Sequence, residues 1–286
     1  MATSKARAAA DVRVCCAHCG DTFRAAKLIY DCHLEELPEH IASCFVKLDR
    51  DIATDKFLLK CAEEAEKVEQ QVKSWGASVL RRLGFSLTSA NAIVGRAEMF
   101  VLSTAQATRL LGHGGDRLLD VGAGCGSVTL QLQPLFKSVL ATESSWPMCY
   151  QLRKRGIASV NVETLEGLEA SAASAGDCLG PGGTADCIAL LNVLDRCSAP
   201  RSLLSDLKRC LEPGGRLLLA VVFPFQPFVE KGSAKLLPSE ELPLPTNASW
   251  EQSVEILWKD VLQPEGFHMD ALTRVPYLCQ GESNPP

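Results

Sequence analysis

With 286 residues, 47% of them hydrophobic, the chain is long enough for one full α/β domain plus a smaller appendage and can bury a sizeable core. A formal net charge of −5, from 29 basic and 34 acidic residues, leaves no dominant basic face and argues against nucleic acid as a substrate. The 13 cysteines are scattered, several within apolar runs (Cys61, Cys187, Cys210), as reduced core thiols of an intracellular protein would be; no apolar run nears the ~20 residues that span a bilayer.

Residues 1–28 carry no clear periodicity and are expected to form a flexible tail without the apolar core of a secretory signal. Cys16 and Cys19 form C-x-x-C there, with Cys32 and His33 downstream, but His40 lies too far on to close a zinc site, so no metal is expected. Residues 29–112 read as a helical region. Between Asp55 and Leu83, apolar residues recur in steps of three and four (Phe57, Leu58, Cys61, Ala65, Val68, Val72, Trp75, Val79, Leu83), which predicts an amphipathic helix. Ser103 to Gln106 has the form of a capping box and opens a second one.

From Arg117 strands alternate with helices, which predicts a parallel sheet in a domain spanning 113–286. The predicted strands are 117–121, 138–142, 158–163, 186–191, 216–223 and 267–273. Helices are predicted near 127–133, 146–155, 200–211 and 249–262, the last opened by Ser249 and Gln252. Ala170 to Thr184 reads as a surface loop. Pro224 to Pro245, rich in proline and carrying Phe225 and Phe228, follows a strand end and suggests a lid or substrate wall.

Chemistry in such a sheet lies beyond the carboxyl ends of the strands. The first strand ends in LLDVGAGCG, with Asp120 two residues before Gly122, then Ala123, Gly124 and Gly126. This G-x-G-x-G spacing differs from the G-x-G-x-x-G of dinucleotide folds. An acid here suits a ligand with cationic groups and no pyrophosphate, and the loop reads as the S-adenosylmethionine (SAM) loop of a class I methyltransferase, a Rossmann-like doubly wound fold. Glu143, ending the second strand, is placed to accept ribose hydroxyls. The fourth strand delivers Asn192, Asp195 and Arg196, and the fifth Phe223 and Phe225. Asn192 is either a helix cap or a contact to cofactor or acceptor; Asp195 is either an ion-pair partner of Arg196 or a group aimed at the acceptor. His113 and His268 are expected to be surface or packing residues.

GRAEMFVLS (95–103), LLDVGAGCG, ATE (141–143), LNVLDRC (191–197), LEPGGR (211–216), FPFQPFVE (223–230), TRVPYLC (273–279) and the earlier YDCHLEELPE (30–39) occur in that order. Together they resemble the DREV family over roughly residues 29–280. The resemblance implies a protein-histidine methyltransferase that moves methyl from SAM to the pros nitrogen of histidine in His-x-His motifs. It further implies that Glu143, Asn192 and Tyr277 hold the cofactor with Asp120, Gly122, Ala123 and Gly124. Asp195 would engage the acceptor imidazole, with Arg96, Arg196, Phe223 and Phe225 nearby. Its partners would be His-x-His proteins, and the chain is expected to be monomeric and not integral to a membrane. A cytoplasmic setting is the default, with endoplasmic reticulum or mitochondrial association suggested by relatives. The family pattern has an acid where Cys125 stands. It also continues into a final strand pairing with 267–273, so an unpaired sheet edge is expected here. A methyltransferase with another acceptor, or a non-catalytic SAM-binding scaffold, would share much of this pattern.

Overall fold

A computed structural model describes residues 28–279 except 66, 67, 97, 174, 175 and 177. The expected tail, with Cys16 and Cys19, lies outside the described residues. The centre is a five-stranded parallel sheet in the order β4-β3-β2-β5-β6, where β2 is Gly115–Val121, β3 Phe136–Glu143, β4 Ala158–Asn161, β5 Ala185–Leu191 and β6 Leu211–Ala220. Chain order reverses between β2 and β5, so the loops leaving those two strands diverge and open a crevice at their carboxyl ends.

Alternation along the strands sorts the core into two layers. Leu119, Val121, Leu140, Ile188 and Leu190 pack against Leu204 and Leu207 of the Pro200–Cys210 helix and against Leu257 and Val261. Leu118, Val139, Cys187, Ala189 and Leu191 point the other way, onto Ala107 and Leu111 of the Thr104–Leu111 helix and onto Leu132. Fully burying each such leucine contributes about 1.5–3 kcal/mol relative to leaving it exposed. Cys61, Cys187 and Cys210 are buried.

The helical region touches the loops at the carboxyl ends of β2 and β3, with Ser89 Oγ 3.1 Å from Ser145 Oγ and the Met99 amide 3.3 Å from Ser127 Oγ. The predicted capping boxes form at Ser103–Gln106 and at Ser249–Gln252. Three elements meet at Glu98, whose carboxylate binds Lys60 of the Ile52–Ala65 helix and, at 3.0 Å, Arg155 just past the Trp146–Lys154 helix. Where one amphipathic stripe was expected, two helices are described, Ile52–Ala65 and Val68–Arg82. The stripe is only partly used: Leu58 and Cys61 are buried, whereas Val72, Trp75 and Leu83 stay exposed. The second helix packs through small residues instead, with Ala77 buried and Gly76 so close to Val94 that a Cβ would sit 3.3 Å from its Cγ1.

The fifth strand begins at Leu211 rather than 216 and ends at Ala220, because the Glu212–Gly215 turn is absorbed as a register shift opposite Ala185 and Cys187. Residues 267–273 are not a sheet strand. Leu272 forms one bridge with Phe45, exchanging backbone hydrogen bonds of 2.7 and 2.8 Å with Val46 and Cys44, while Phe267, Met269 and Leu272 pack beside Ile41 and Trp258. Their alternating apolar face is satisfied by this helical layer, not by the sheet. Among the described strands none pairs with the outer edge of β6, and Leu217 to Ala220 are half-buried. No described helix is long and apolar enough to cross a membrane.

Candidate active site

The glycine loop turns sharply off β2. Gly122 has φ +69°, and a Cβ there would lie 2.6 Å from Val193 Cγ2; one at Gly126 (φ +83°) would meet Leu152 and Ile157 below 3 Å. Only glycine combines this backbone with this proximity. The amides of Gly122 and Ala123 both donate to the Thr142 carbonyl, at 3.0 and 3.1 Å, which pins the loop to the end of β3.

Two acids stand behind the loop. Glu143 Oε2 accepts from the Gly124 amide at 3.1 Å and Oε1 from the Ser145 amide at 3.1 Å. Burial pushes its carboxyl pKa above the ordinary value despite these donors. Asp120, 2% exposed, accepts a 2.6 Å hydrogen bond from Thr129 Oγ1. Burial, with the neighbouring Glu143 charge, lifts it to about 6. Two carboxylates whose ionisation burial disfavours, at neighbouring strand ends, form a site that a cation would stabilise.

Across the switch point, β5 ends at Asn192. It is the non-glycine residue with positive φ (+59°) among those described, and it sits where its amide donates 2.9 Å to the Ala220 carbonyl. Asparagine tolerates this left-handed backbone better than bulkier residues, and such strain gathers at functional turns. Its buried Nδ2 has no hydrogen-bond partner among the described residues, which leaves a donor available to a ligand. Of the two readings given to Asn192, a side-chain helix cap is not what forms.

Asp195 is 3% exposed, with Oδ2 3.1 Å from Arg196 Nη1. The same guanidinium donates to the Gln226 carbonyl and lies 3.9 Å above the Phe228 ring, while the Phe228 amide donates 2.9 Å to the Asp195 carbonyl. The proline-rich segment is therefore stitched to the Asp195 turn. Beyond it, Val229–Lys231 and Ala234–Leu236 pair as a hairpin, β7 and β8. Glu230 Oε2 accepts the Thr88 amide at the start of the Leu87–Val94 helix, tying the hairpin to that helix.

Tyr277 reaches the loop indirectly. Its hydroxyl lies 3.3 Å from Met99 Sδ, and Met99 Cε is the atom a Gly124 Cβ would meet, at 3.8 Å. The short strands Met99–Phe100 (β1) and Leu278–Cys279 (β9) pair to hold both there. Arg96 is buried one residue past Gly95, where the Leu87–Val94 helix ends in a left-handed turn. Phe223 is half-buried beside the core, and Phe225 is 2% exposed within it. Sequence reasoning missed Thr129, and it read Pro224 to Pro245 as a lid or wall without the β7–β8 hairpin inside it. Cys125 is buried against Ala92 and Met148, with Sγ 3.0 Å from Ser127 Oγ. Among the described residues no three His, Cys, Asp or Glu side chains converge as a metal site.

Residues 29–285 match the DREV methyltransferase family. The chain belongs to that family. The cofactor of this DREV methyltransferase is S-adenosylmethionine, and the buried acids and the Asn192 side-chain amide fit such a cationic, hydroxyl-bearing ligand. Solved structures resemble this DREV chain in fold alone. DhpI in complex with SAH is 16% identical over 39% of this chain and 52% of its own, with a TM-score of 0.31. The N-methyltransferase NodS of Bradyrhizobium japonicum WM9, bound to S-adenosyl-L-homocysteine, is 18% identical over 40% and 57%, with a TM-score of 0.32. DesVI of Streptomyces venezuelae is 16% identical over 62% and 60%, with a TM-score of 0.31. The DREV chain thus spans about half to three fifths of these structures.

Proposed function

We propose that this protein transfers a methyl group from SAM to the pros nitrogen of a histidine in His-x-His segments of other proteins. The observation that carries the reading is the contact of the two switch-point loops. Gly122 of the cofactor loop abuts Val193, which lies between Asn192 and the buried Asp195, so donor loop and acid share one crevice. SAM bound there supplies an electrophilic methyl carbon.

This chain's residues supply binding and alignment. Glu143 is positioned to accept ribose hydroxyls, Asp120 and Glu143 favour positive charge, and Asn192 Nδ2 has a donor to give. Tyr277, through Met99, backs the loop. Histidine is mostly neutral at pH 7, so no strong base is required to make it a nucleophile. What matters is which nitrogen carries the proton. A carboxylate at Asp195 accepting the tau N–H leaves the pros lone pair free to face the methyl carbon. As the pros N–C bond forms and the sulfur–carbon bond breaks, the ring becomes cationic. The tau N–H then strengthens its hydrogen bond to Asp195 until the proton is lost to solvent. Arg196 orients that carboxylate from behind.

The test is incubation with methyl-labelled SAM and a His-x-His peptide beside its His→Ala counterpart. Label in the first alone supports the proposal; equal label in both overturns it.

A further inference from the structure

The eight-residue Leu87–Val94 helix touches both the cofactor loop and the β7–β8 hairpin. Toward the loop, Ala92 packs on Cys125 and Met148, and its carbonyl accepts Gln151 Nε2 at 3.1 Å. Ser89 Oγ meets Ser145 Oγ, and the Ser145 amide donates to Glu143. Ala90 and Ala92 are fully buried, so this face sits close with little side chain to absorb a shift. At its start the helix has its own cap, Ser86 Oγ accepting the Ser89 amide. The Thr88 amide, left over in the first turn, is taken by Glu230 Oε2 of β7 at 3.1 Å. A carboxylate at this end of a helix is favoured by the helix dipole. The hairpin makes a second contact just upstream, where a Cβ on Gly232 would lie 3.0 Å from the Gly84 carbonyl. Across the hairpin from Glu230, Lys235 Nζ lies 4.3 Å from the centroid of Phe228, a ring that also holds Arg196. The Phe228 amide donates to the Asp195 carbonyl. A continuous series of contacts therefore runs from Glu143 and the glycine loop, through one short helix, to the Asp195 turn.

Resting on the acceptor reading above, we infer that Glu230 is a positioning residue that couples the cofactor and acceptor sites. Bound to the Thr88 amide, it fastens the hairpin beside Asp195 to the helix that backs the glycine loop. A cofactor that settles Glu143 and the loop thereby settles the helix, the hairpin and the Asp195 turn, and the acceptor then meets a turn already ordered. Glu230 has no part in the methyl transfer itself. Its hydrogen bond is solvent-accessible, so the coupling belongs at the low end of the usual range.

The experiment measures, by fluorescence anisotropy, how far saturating S-adenosyl-L-homocysteine lowers the Kd of a His-x-His peptide. Wild type, Glu230→Ala and Glu230→Gln are compared. Wild type should show a factor of about five. Glu230→Ala should fall to about two or less, the remainder passing through the direct Gly122–Val193 contact. Glu230→Gln, whose amide oxygen can still accept from Thr88, should keep a factor of at least about three. The same factors must appear in the affinity for S-adenosyl-L-homocysteine with and without peptide, because coupling is reciprocal. Hydrogen exchange of residues 226–236 gives a readout that needs no acceptor. S-adenosyl-L-homocysteine should slow it in wild type and Glu230→Gln but not in Glu230→Ala. That exchange pattern with no binding of the His-x-His peptide would leave the coupling standing and remove the acceptor reading. A wild-type factor near one, an equal factor in Glu230→Ala, an equal loss in Glu230→Gln, or hairpin exchange that ignores the ligand in wild type overturns the inference.

Discussion

Asp195 and Arg196 are adjacent in sequence and also ion-paired, Oδ2 to Nη1 at 3.1 Å, with Asp195 buried and Arg196 half-exposed against Phe228. Neighbouring residues seldom pair this way unless the backbone turns between them. Here the turn follows the left-handed Asn192, whose neighbour Val193 packs against Gly122 of the glycine loop, and the guanidinium lies over Phe228 of the proline-rich segment. In the proposed reaction Asp195→Asn keeps the shape but loses the charge that stabilises the developing imidazolium. We expect kcat to fall about 100-fold with SAM affinity within about twofold of wild type. Steady-state kinetics and calorimetric titration of SAM check both numbers.

Glu143 has the opposite signature. Its carboxylate already collects the Gly124 and Ser145 amides, and removing its charge weakens whatever hydroxyls it holds. Glu143→Gln should raise the SAM dissociation constant about 10- to 100-fold, the range of one charge-assisted hydrogen bond. Circular dichroism should stay native. An unchanged dissociation constant would remove Glu143 from the cofactor site.

Asp120 makes the site sensitive to pH. Burial first, and the Glu143 charge beside it, raise its carboxyl to about 6 in the folded protein, above the ordinary 3.8. The folded state therefore holds a proton the unfolded chain has released between those values, and stability without ligand falls as pH rises through about 4 to 6. Asp120→Asn should consequently gain about 1–2 kcal/mol over wild type at pH 8 and little at pH 4, measured by urea unfolding. A cationic ligand favours the ionised acid, so wild-type SAM affinity should rise with pH across the same window. A flat profile would detach Asp120 from the ligand.

Much of this was legible in the sequence, for identifiable reasons. Alternation in β2, β3 and β5 wrote strands that later split cleanly into two core faces, as with Leu118 and Leu119. Asp120, Gly122, Glu143 and Asn192 lie at or just past the carboxyl ends of β2, β3 and β5, as the strand pattern alone indicated. Residues 267–273 misled because alternation reports one buried face without saying against what, and here the partner is Ile41 and Trp258. The exposed Val72 and Trp75 show the same limit for helical periodicity. Phe225 packs into the core, a neighbourhood that its place just after a strand end does not reveal. Lys235 on Phe228 was beyond reach, since nothing local pairs residues seven apart across a hairpin.

Glu98 clamps the helical region to the fold. Burial works to raise its pKa, but hydrogen bonds and charge from Lys60 and Arg155 outweigh it and hold the carboxyl below its usual range. Its stabilisation is present above the unfolded pKa and is lost as pH falls through the lower folded value. Glu98→Gln should cost about 1 kcal/mol at pH 7, less in high salt, and the gap to wild type should narrow below about pH 4. Thermal melts at two ionic strengths decide this.

The most direct measurement is mass-spectrometric localisation of the methyl group after a single turnover with SAM and a His-x-His peptide, comparing wild type with Asp195→Ala. Methyl on the pros nitrogen with wild type, and its loss with the variant while SAM still binds, is the predicted result. Methyl on the tau nitrogen, on a residue other than histidine, or undiminished in the variant would contradict an imidazole oriented by Asp195.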